Sequence, residues 1–471
     1  MSDARTDFEA KLARVLERHI DGFRELSSAE RLSGGASQET YRIEMRAADG
    51  ERRLAMRRSP GGIAAAKQQG FPGIEVEAML MRCAKQAGVP EPEVYHVLTP
   101  EQGLGAGFIM EWLDGETLGA RINRLPELED LRARLAHQCG QVLARIHAID
   151  LDATGLRAHL DEVTPERFVH QTWERYKPLD SPQPMIDYTA RWLVDHLPDA
   201  ADMKLVHNDF RNGNFMVTPD GMNAVLDWEL AHIGDPMRDL GWVCTNSWRF
   251  GGEAPVGGFG TREDLFAGYE SVSGVRVDPE RVRFWEVFGS FWWAIGCLGM
   301  AEHYRSGPDQ TVERPAIGRR SSECQVDCVN LLIPGPAKLV EPSPIASIND
   351  MPRIDELVCS VRDFLRGDVM TATRGRNNFL ARVASNSLDI VLRELASGAA
   401  LRERETERLR RLFDSDGELT ELRWRLVNAL RDGSMALDHP GLAEHLRETV
   451  VNQVAIDQPK YSGYKRALRM T

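Results

Sequence analysis

The sequence predicts an α+β protein in which a small strand-rich N-terminal region precedes a larger helical region and an all-helical C-terminal region. Alternating apolar residues within 41–57 predict strands, because successive strand side chains point to opposite faces. Apolar spacing near 3.6 dominates from residue 130 onward, and a proline-rich interval at 307–352 interrupts it. A chain of 471 residues is too long for one core, so we expect two or three domains.

Residues 1–113 form the predicted N-terminal region. Charges begin at Asp3, so the first residues are not expected to be a signal peptide. They predict an amphipathic helix instead, with an apolar stripe of Phe8, Leu12, Val15, Leu16, Ile20 and Phe23. The pattern that follows predicts one helix at 74–87 and strands at 41–45, 53–57, 94–97 and 108–112.

Residues 114–306 form the predicted helical region, with helices at 130–148, 186–197, 262–270 and 279–304. Its most apolar run, 284–300, is 17 residues long and contains Glu286 and three glycines. A membrane-spanning helix needs about 20 apolar residues with few or no charges. The run therefore predicts a buried helix, and no membrane association is expected.

The C-terminal third contains two predicted parts. Seven prolines within 307–352 predict a connector. Residues 353–471 predict a helical domain, in which the interleaved charges of 401–411 are typical of a solvated helix face. No cluster in this domain suggests chemistry, so its function stays open.

The composition is that of a soluble globular protein, with 42% hydrophobic and 27% charged residues. A net charge of −13 argues against a nucleic-acid partner, which would require a basic face. Seven scattered cysteines without a C-x-x-C pair predict neither a zinc site nor a disulfide framework. We therefore expect a cytoplasmic protein.

A polar pattern within residues 207–227 carries the clearest sign of function: His207, Asp209, Asn214 and Asp227. A phosphotransferase of the protein-kinase type needs one carboxylate to deprotonate the attacking hydroxyl. It also needs a carboxamide and a second carboxylate to hold Mg²⁺ against nucleotide phosphates. Asp209 suits the first task, and Asn214 and Asp227 suit the second. The alternative is an ordinary loop, in which Asp and Asn serve as turn and cap residues.

A predicted hairpin between Asn214 and Asp227 argues against the ordinary loop. Asp220-Gly221 lies between two apolar runs and is typical of a two-residue type I′ turn. In the register that this turn predicts, Asn214 directly faces Asp227, with Cβ atoms roughly 5 Å apart. Both side chains could then hold one hard cation, with phosphates and water completing its oxygen shell.

Two upstream features favour phosphate binding. A glycine-rich segment could offer backbone N–H groups to a phosphate, through Ser33, Gly34, Gly35 and Ser37. Arg57 shares a strand face with Ala55, so its side chain is expected to enter a cleft, where Glu77 could pair with it. Turns and surface ion pairs are common, so the order of these features along the chain matters more than any one of them.

Six segments together resemble the aminoglycoside phosphotransferase-like branch of the kinase-like superfamily, nearest to the phosphotransferase part of fused acyl-CoA dehydrogenases. They are S-G-G-A-S-Q-E-T-Y-R at 33–42, L-A-M-R-R at 54–58, the stretch 77–92, F-I-M-E-W-L-D-G at 108–115, H-N-D-F-R-N-G-N at 207–214 and L-D-W-E-L-A-H-I-G-D-P-M-R-D-L at 226–240. The resemblance covers about residues 25–305, and the last two motifs are the most specific.

The resemblance implies a bilobal protein-kinase-like fold, with a small β-rich N-lobe, a larger helical C-lobe and ATP or GTP between them. It implies that Asp209 is the catalytic base and that Asn214 and Asp227 bind Mg²⁺. It also implies that three residues brace the catalytic loop, namely His207, Asp235 and Asp239.

On the nucleotide side, the resemblance implies that Arg57 binds the α/β phosphates and that Glu77 positions it. The hinge that meets the purine through backbone groups would be residues 110–113, which include Met110 and Trp112. Arg57 stands where most kinases carry Lys, and the two side chains are not interchangeable. The subgroup resembling the fused dehydrogenases also carries Arg at this position.

The acceptor is predicted to be a small-molecule hydroxyl. Asn208 stands where protein kinases carry Arg, and no A-P-E segment closes an activation loop after Asp227, so a protein kinase is disfavoured. The subgroup suggests a hydroxyacyl-CoA, with an acyl-CoA dehydrogenase as a pathway partner. An aminoglycoside, sugar or amino-alcohol kinase remains open, as does a nucleotide-binding pseudokinase scaffold. The oligomeric state is not predicted.

Overall fold

The computed structural model describes residues 2–32, 38–63, 70–199, 202–345 and 351–469. The chain divides into two compact units. Unit 1 comprises Met1–Thr164, Ala200–Cys244 and Trp248–Val282. Unit 2 comprises Pro165–Asp199, Thr245–Ser247 and Arg283–Thr471.

Unit 1 begins with a five-stranded antiparallel sheet in the order β1-β2-β3-β5-β4. Its elements are α1 (Ser2–His19), β1 (Phe23–Arg31), β2 (Glu39–Ala47), β3 (Gly50–Arg58), α2 (Ile74–Gln86), β4 (Val94–Val97) and β5 (Gly107–Glu111). The apolar stripe of α1 packs on this sheet, where Leu12, Leu16, Ile43, Met56 and Ile109 are fully buried. Burial of these side chains supplies the main stabilisation of the sheet.

Strand β1 was not predicted from the sequence, and the predicted helical stripe extended into it as far as Phe23. In the structure α1 ends at His19, and Gly22 adopts a φ of 75°, which turns the chain into the strand. β1 is an edge strand with mostly exposed side chains, so its sequence lacks the strong alternation of a half-buried strand.

The remaining elements of unit 1 position the functional site. They are α3 (Gly119–Ile122), α4 (Glu129–His147), β6 (Lys204–Val206), β7 (Phe215–Thr218), β8 (Gly221–Val225), β9 (His232–Gly234), α7 (Met237–Cys244) and α8 (Arg262–Ser273). β6 pairs with β9, and β7 pairs with β8. α4 and α8 approach closely at two glycines: a Cβ added at Gly140 would lie 2.1 Å from the Leu265 carbonyl oxygen, and one at Gly268 would lie 2.0 Å from that of His137.

Unit 2 is helical in its described residues. Its helices are α5 (Pro165–Tyr176), α6 (Pro184–Asp195), most of α9 (Pro279–Ser306), α10 (Glu313–Arg319), α11 (Ser321–Leu332), α12 (Ile354–Phe364), α13 (Met370–Ala372), α14 (Gly375–Phe413), α15 (Leu419–Asp432), α16 (Leu442–Asp457) and α17 (Ser462–Arg469). A π-helical turn, Leu365–Val369, separates α12 from α13. One core joins α6, α11 and α14–α17, with Val326, Leu409, Leu426, Leu430 and Val451 fully buried.

The predicted connector at 307–352 is wrong in part, because α10 and α11 lie within it. Pro315 is the third residue of α10, in the first turn, where a helix tolerates proline. Pro334 follows the end of α11, so it terminates that helix instead of marking irregular chain. Prolines in this interval therefore lie in the first turn of one helix and just after the end of another.

Within the described ranges, no helix combines the length and the hydrophobicity needed to cross a membrane. The apolar run 284–300 lies inside α9, where Trp285, Phe288 and Phe291 are buried among other aromatic side chains. The predicted buried helix is therefore confirmed.

Candidate active site

The hairpin that carries Asn214 and Asp227 forms, but its predicted register is wrong. β7 pairs with β8 as Phe215–Val225, Met216–Ala224, Val217–Met222 and Thr218–Gly221, with a bulge at Asn223. The turn residues are thus Pro219 and Asp220, because proline has a φ suited to the first turn position. The Leu226 N–H donates to the Asn214 carbonyl over 2.8 Å, so Asn214 is paired with the residue before Asp227.

Asp227 follows directly after this pair. Its backbone is left-handed, with φ 70° and ψ 60°, a conformation that Asp and Asn tolerate better than most residues. Asn214 and Asp227 therefore lie at the same end of the hairpin, although they are not directly opposed in the ladder.

His207 lies at the end of β6 and is fully buried. Its Nδ1 accepts from the Asp209 N–H over 3.2 Å, so Nε2 carries the proton and donates to the Leu226 carbonyl over 3.1 Å. Burial lowers the pKa of His207, which keeps the ring neutral at pH 7. The ring thereby ties the start of the loop 207–214 to the end of the hairpin.

Asp239 of α7 holds the same loop from the other side. Its carboxylate accepts from the backbone N–H of His207 over 2.8 Å and from that of Asn208 over 2.7 Å. His147 contacts the carboxylate over 3.0 Å, and Tyr269 contacts the other ring nitrogen of His147 over 3.1 Å. Burial would raise the pKa of Asp239, but these hydrogen bonds and the nearby histidines keep it below its usual value.

Asp235 contributes at the N-terminus of α7. It accepts from the Met237 N–H over 3.0 Å and pairs with Arg281 over 2.8 Å. It therefore caps the helix that presents Asp239.

The carboxylate of Asp209 is held by three side chains. Oδ1 accepts from Trp242 Nε1 over 2.8 Å and from Arg211 Nε over 3.1 Å. Oδ2 accepts from Asn214 Nδ2 over 2.5 Å, and the same Nδ2 donates to the Asp209 carbonyl over 3.0 Å. The Asp209 side chain remains 13% exposed, so it is both positioned and reachable.

Asn214 and Asp227 offer hard oxygen donors that fit Mg²⁺. Asn214 uses its amide nitrogen on Asp209, which leaves its Oδ1 as the available donor. Asp227 accepts from Arg57 at Oδ1, and in the described part of the chain its Oδ2 has no hydrogen-bond partner. The described residues contain no group of three or more metal-ligating His, Cys, Asp or Glu side chains.

Arg57 is the centre of a buried polar network. Its Nη2 lies 2.9 Å from Glu77 Oε1 and 2.5 Å from Asp227 Oδ1, while its Nε donates to Gln38. Gln38 also donates to the second oxygen of Glu77 over 2.9 Å. The predicted pairing of Arg57 with Glu77 is therefore present, and Asp227 and Gln38 join it.

The pKa values of both Glu77 and Arg57 are raised in this network, but for different reasons. Burial raises the pKa of Glu77 to about 7, although Arg57 acts in the opposite direction. Burial acts to lower the pKa of Arg57, but Glu77 and Asp227 outweigh it and raise the pKa above its usual value. Arg57 stays a cation at all physiological pH values, whereas Glu77 titrates near neutrality.

The remaining predicted site residues belong to the glycine-rich segment and to the hinge. Ser33, Gly34, Gly35 and Ser37 lie outside the described residues. Met110 is in β5, paired with Ala55 of β3, and Trp112 follows that strand. The Trp112 indole donates to Asp114 over 2.9 Å, which fixes the side chain just after the strand.

Four residues of the site were missed from the sequence: Gln38, Arg211, Arg238 and Trp242. Trp242 is one of five tryptophans between residues 242 and 293, and it is fully buried. Its hydrogen bond to Asp209 depends on long-range packing, which apolar periodicity does not reveal. Arg238 donates to the Asn208 side chain over 3.0 Å and lies over the Trp242 ring at 4.5 Å.

Relatives of known sequence match about half of the chain. Acyl-CoA dehydrogenase family member 10 of Mus musculus is 32% identical over 244 residues, which cover 50% of this chain and 22% of that protein. Acyl-CoA dehydrogenase family member 11 of Gallus gallus is 27% identical over 245 residues, which cover 50% of this chain and 30% of that protein. This chain therefore matches less than a third of the length of either relative.

A solved structure matches a longer part. It is that of a Ralstonia eutropha protein with a provisional designation as an aminoglycoside phosphotransferase, with a TM-score of 0.55 and 25% sequence identity. The match covers 67% of this chain and 95% of that protein. Together with the five-stranded sheet and the helices after it, this likeness confirms the predicted α+β, kinase-like fold class with a helical C-terminal region.

Family profiles match two regions. Residues 371–461 match a domain of unknown function (DUF6285). Residues 28–285, more than half of the chain, match the phosphotransferase enzyme family (APH), in agreement with the predicted extent of about 25–305. The chain therefore belongs to the phosphotransferase enzyme family.

Proposed function

We propose that the protein transfers the γ-phosphoryl group of ATP to a hydroxyl of a small molecule, with Asp209 as the general base. The observation that carries this proposal is the set of contacts on Asp209. Trp242, Arg211 and Asn214 each donate a hydrogen bond to the carboxylate and hold it in place, and a positioned carboxylate can accept a proton from the acceptor hydroxyl.

The acceptor hydroxyl has a defined place in this proposal. An ionised carboxylate has about four acceptor positions, and the described residues fill three of those on Asp209. The fourth, on Oδ2, can accept the hydroxyl hydrogen. Asp209 takes that proton as the hydroxyl oxygen bonds to the γ-phosphorus, and the bond from phosphorus to the bridging oxygen breaks to release ADP.

On the nucleotide side, we propose Arg57 as the ligand of the α/β phosphates and Asn214 and Asp227 as the Mg²⁺ ligands. Bound Mg²⁺ would neutralise phosphate charge. Glu77 and Gln38 orient the guanidinium of Arg57, so its planar fork is preorganised before a phosphate binds. The segment 33–37 would cover the phosphates, and residues 110–113 would meet the purine of ATP or GTP.

For the acceptor, we propose a hydroxyacyl-CoA. Arg211 lies 3.1 Å from Asp209, and its guanidinium stacks over Trp248 at 4.1 Å. A cation beside the base disfavours cationic aminoglycosides and amino alcohols by like-charge repulsion, and it suits a neutral or anionic acceptor. The names of the two relatives, both acyl-CoA dehydrogenase family members, support the same class. On that basis an acyl-CoA dehydrogenase would act in the same pathway.

We also propose a cytoplasmic location. Cysteines such as Cys83, Cys139 and Cys328 are in the thiol form, and thiols persist in a reducing compartment.

The test is phosphoryl transfer from labelled ATP with and without Mg²⁺. The acceptor panel contains 3- and 4-hydroxyacyl-CoAs, the free hydroxy acids, an aminoglycoside, a hexose and choline. We expect Mg²⁺-dependent product with a hydroxyacyl-CoA, and an Asp209→Asn variant slower by about 10²–10⁴-fold. Repeating the assay with GTP in place of ATP shows which nucleotide serves as the phosphoryl donor.

The matched control is Asp220→Asn, the same change in the exposed hairpin turn, which should leave turnover unchanged. Product with another member of the panel would replace the acyl-CoA assignment. Equal turnover in the Asp209→Asn variant would show that Asp209 is not the general base. Nucleotide binding without transfer to any acceptor would favour a pseudokinase scaffold.

A further inference from the structure

Unit 2 contains a cavity of about 610 Å³. Its walls come from α6, α9, α10, α11, α14, α15 and α16, and all of its lining residues belong to unit 2. The volume lies in the range of small-molecule sites, about 300–1,000 Å³. The phosphotransferase site in unit 1 makes no use of these residues.

Two lining residues carry buried polar atoms without partners. His445 of α16 is 2% exposed, and neither of its ring nitrogens has a hydrogen-bond partner among the described residues. The Nε of Arg408, on α14, is likewise buried and unpartnered in that part of the chain. Native proteins pair nearly all buried polar groups, so unpartnered ones in a cavity wall indicate a ligand-binding site.

The charges around these atoms favour an anion. Arg408 pairs with Glu448 over 3.0 Å, and Arg423 pairs with Glu405 over 2.5 Å. Burial, together with the nearby Arg408 and Arg423, lowers the pKa of His445 to about 3, so the ring is neutral at pH 7. A neutral ring keeps one N–H donor, and Arg408 Nε supplies a second. Two N–H donors beside two arginines match the two oxygens of one carboxylate.

The rest of the cavity wall is partly apolar, through Leu401, Leu446 and Val450. Such a surface gains free energy when it buries hydrocarbon. A phosphate would need more donors than the two that are unpartnered here, because the arginines already pair with glutamates. The wall therefore fits a ligand with one anionic head and an apolar body.

We propose that this cavity is a binding site for a small organic carboxylate, whose head group contacts His445 and Arg408 and whose hydrocarbon body lies against Leu401, Leu446 and Val450. The site is independent of phosphoryl transfer, so it can exist whether or not the proposed acceptor is correct. It gives the helical C-terminal region, which contributes α14–α16, a ligand-binding role.

The test is isothermal titration calorimetry and thermal unfolding of the full chain. The ligands are butanoate, hexanoate and octanoate, the corresponding primary amides, and inorganic phosphate. We expect at least one carboxylate to bind and to raise Tm by about 3 °C or more at a concentration 100 times its Kd. The amide of the same length should bind at least about tenfold more weakly, and phosphate should not bind.

Two variants locate the binding. His445→Phe keeps a ring of similar size but removes both nitrogens, and Leu401→Trp fills the cavity. Each should weaken carboxylate binding at least about tenfold and still unfold cooperatively. The matched control is His196→Phe, the same change at an exposed histidine of unit 2, which should bind normally.

Three results would overturn the proposal. They are the absence of binding by every carboxylate, equal binding of acid and amide, and unchanged binding in both His445→Phe and Leu401→Trp. Because no nucleotide is present in these experiments, failure of the kinase assay would leave their outcome unaffected.

Discussion

The indole Nε1 of Trp242 donates a hydrogen bond to Oδ1 of Asp209 over 2.8 Å. Trp242 is fully buried, and Arg238 lies over its ring at 4.5 Å. Arg238 in turn holds the side chain of Asn208. The position of the carboxylate therefore depends on buried side chains of α7 as well as on the loop that carries it.

Replacing Trp242 by Phe should lower kcat about tenfold with little change in the KM for ATP. The ring and its packing remain, but Asp209 loses the donor that orients Oδ1, and a tenfold change corresponds to about 1.4 kcal/mol. Steady-state kinetics with varied ATP measures the two parameters separately.

The control for Trp242→Phe is Trp285→Phe in the core of unit 2. It also removes a buried indole, and it should lower Tm without changing kcat. If both variants lose activity in proportion to stability, Trp242 has only a structural role.

Replacing Asp239 by Asn should destabilise the catalytic loop. The carboxylate accepts from the N–H groups of His207 and Asn208, and a carboxamide has only one acceptor oxygen. Leaving one buried N–H unpaired costs about 1–3 kcal/mol. Hydrogen exchange should show faster exchange of the amides of residues 207 and 208, with a lower Tm. Unchanged protection of those amides would contradict the role assigned to Asp239.

Glu77 should make the stability of unit 1 depend on pH. Its pKa is about 7 in the folded protein against 4.5 for an ordinary glutamate, so the folded state binds more protons between these values. Its stabilising contribution is complete below pH 4.5 and is lost as the pH rises to about 7, and it amounts to about 3 kcal/mol at most. Urea unfolding from pH 4 to 8 should show this decline.

The Glu77→Gln variant removes the titrating group, so its free energy of unfolding should fall less steeply over the same pH range. It should also raise the KM for ATP, because Arg57 loses one of its two acidic partners. A pH profile identical to that of the unmodified protein would show that another group carries the dependence.

The close approach of α4 and α8 predicts a sensitivity at Gly268. Alanine there would place a Cβ 2.0 Å from the His137 carbonyl oxygen, so the helices must separate, at a cost of about 1–3 kcal/mol. Because α4 carries His147, which contacts Asp239, activity should also fall. Gly299→Ala is the matched control: it is a helical glycine with no atom within 4 Å of the added Cβ, and the change should be neutral or stabilising.

The sequence predicted elements well where one face of the element is buried. α2, β4 and α4 lie within a residue or so of their predicted bounds, because buried faces impose strict periodicity on a sequence. The exposed edge strand β1 has no such face and was missed. The helices α10 and α11 were also missed, because prolines at helix ends resemble prolines in a linker.

The sequence predicted those parts of the site that follow from the order of the strands, helices and polar residues along the chain. The pairing of Arg57 with Glu77 followed from strand alternation and helix placement. The hairpin register did not, because a bulge at Asn223 and a proline in the turn shift the pairing by one residue or more. The contact of Trp242 with Asp209 arises only when the folded chain packs α7 and the loop together.

The left-handed backbone at Asp227 limits how this protein family can lose its activity. Few side chains other than Asp, Asn and Gly adopt φ 70° and ψ 60° without strain. A lineage that no longer needs the metal binding proposed for Asp227 would still be constrained to these short residues. We therefore expect relatives that have lost the activity to carry Asn or Gly at this position, because selection for folding alone would remove bulkier residues.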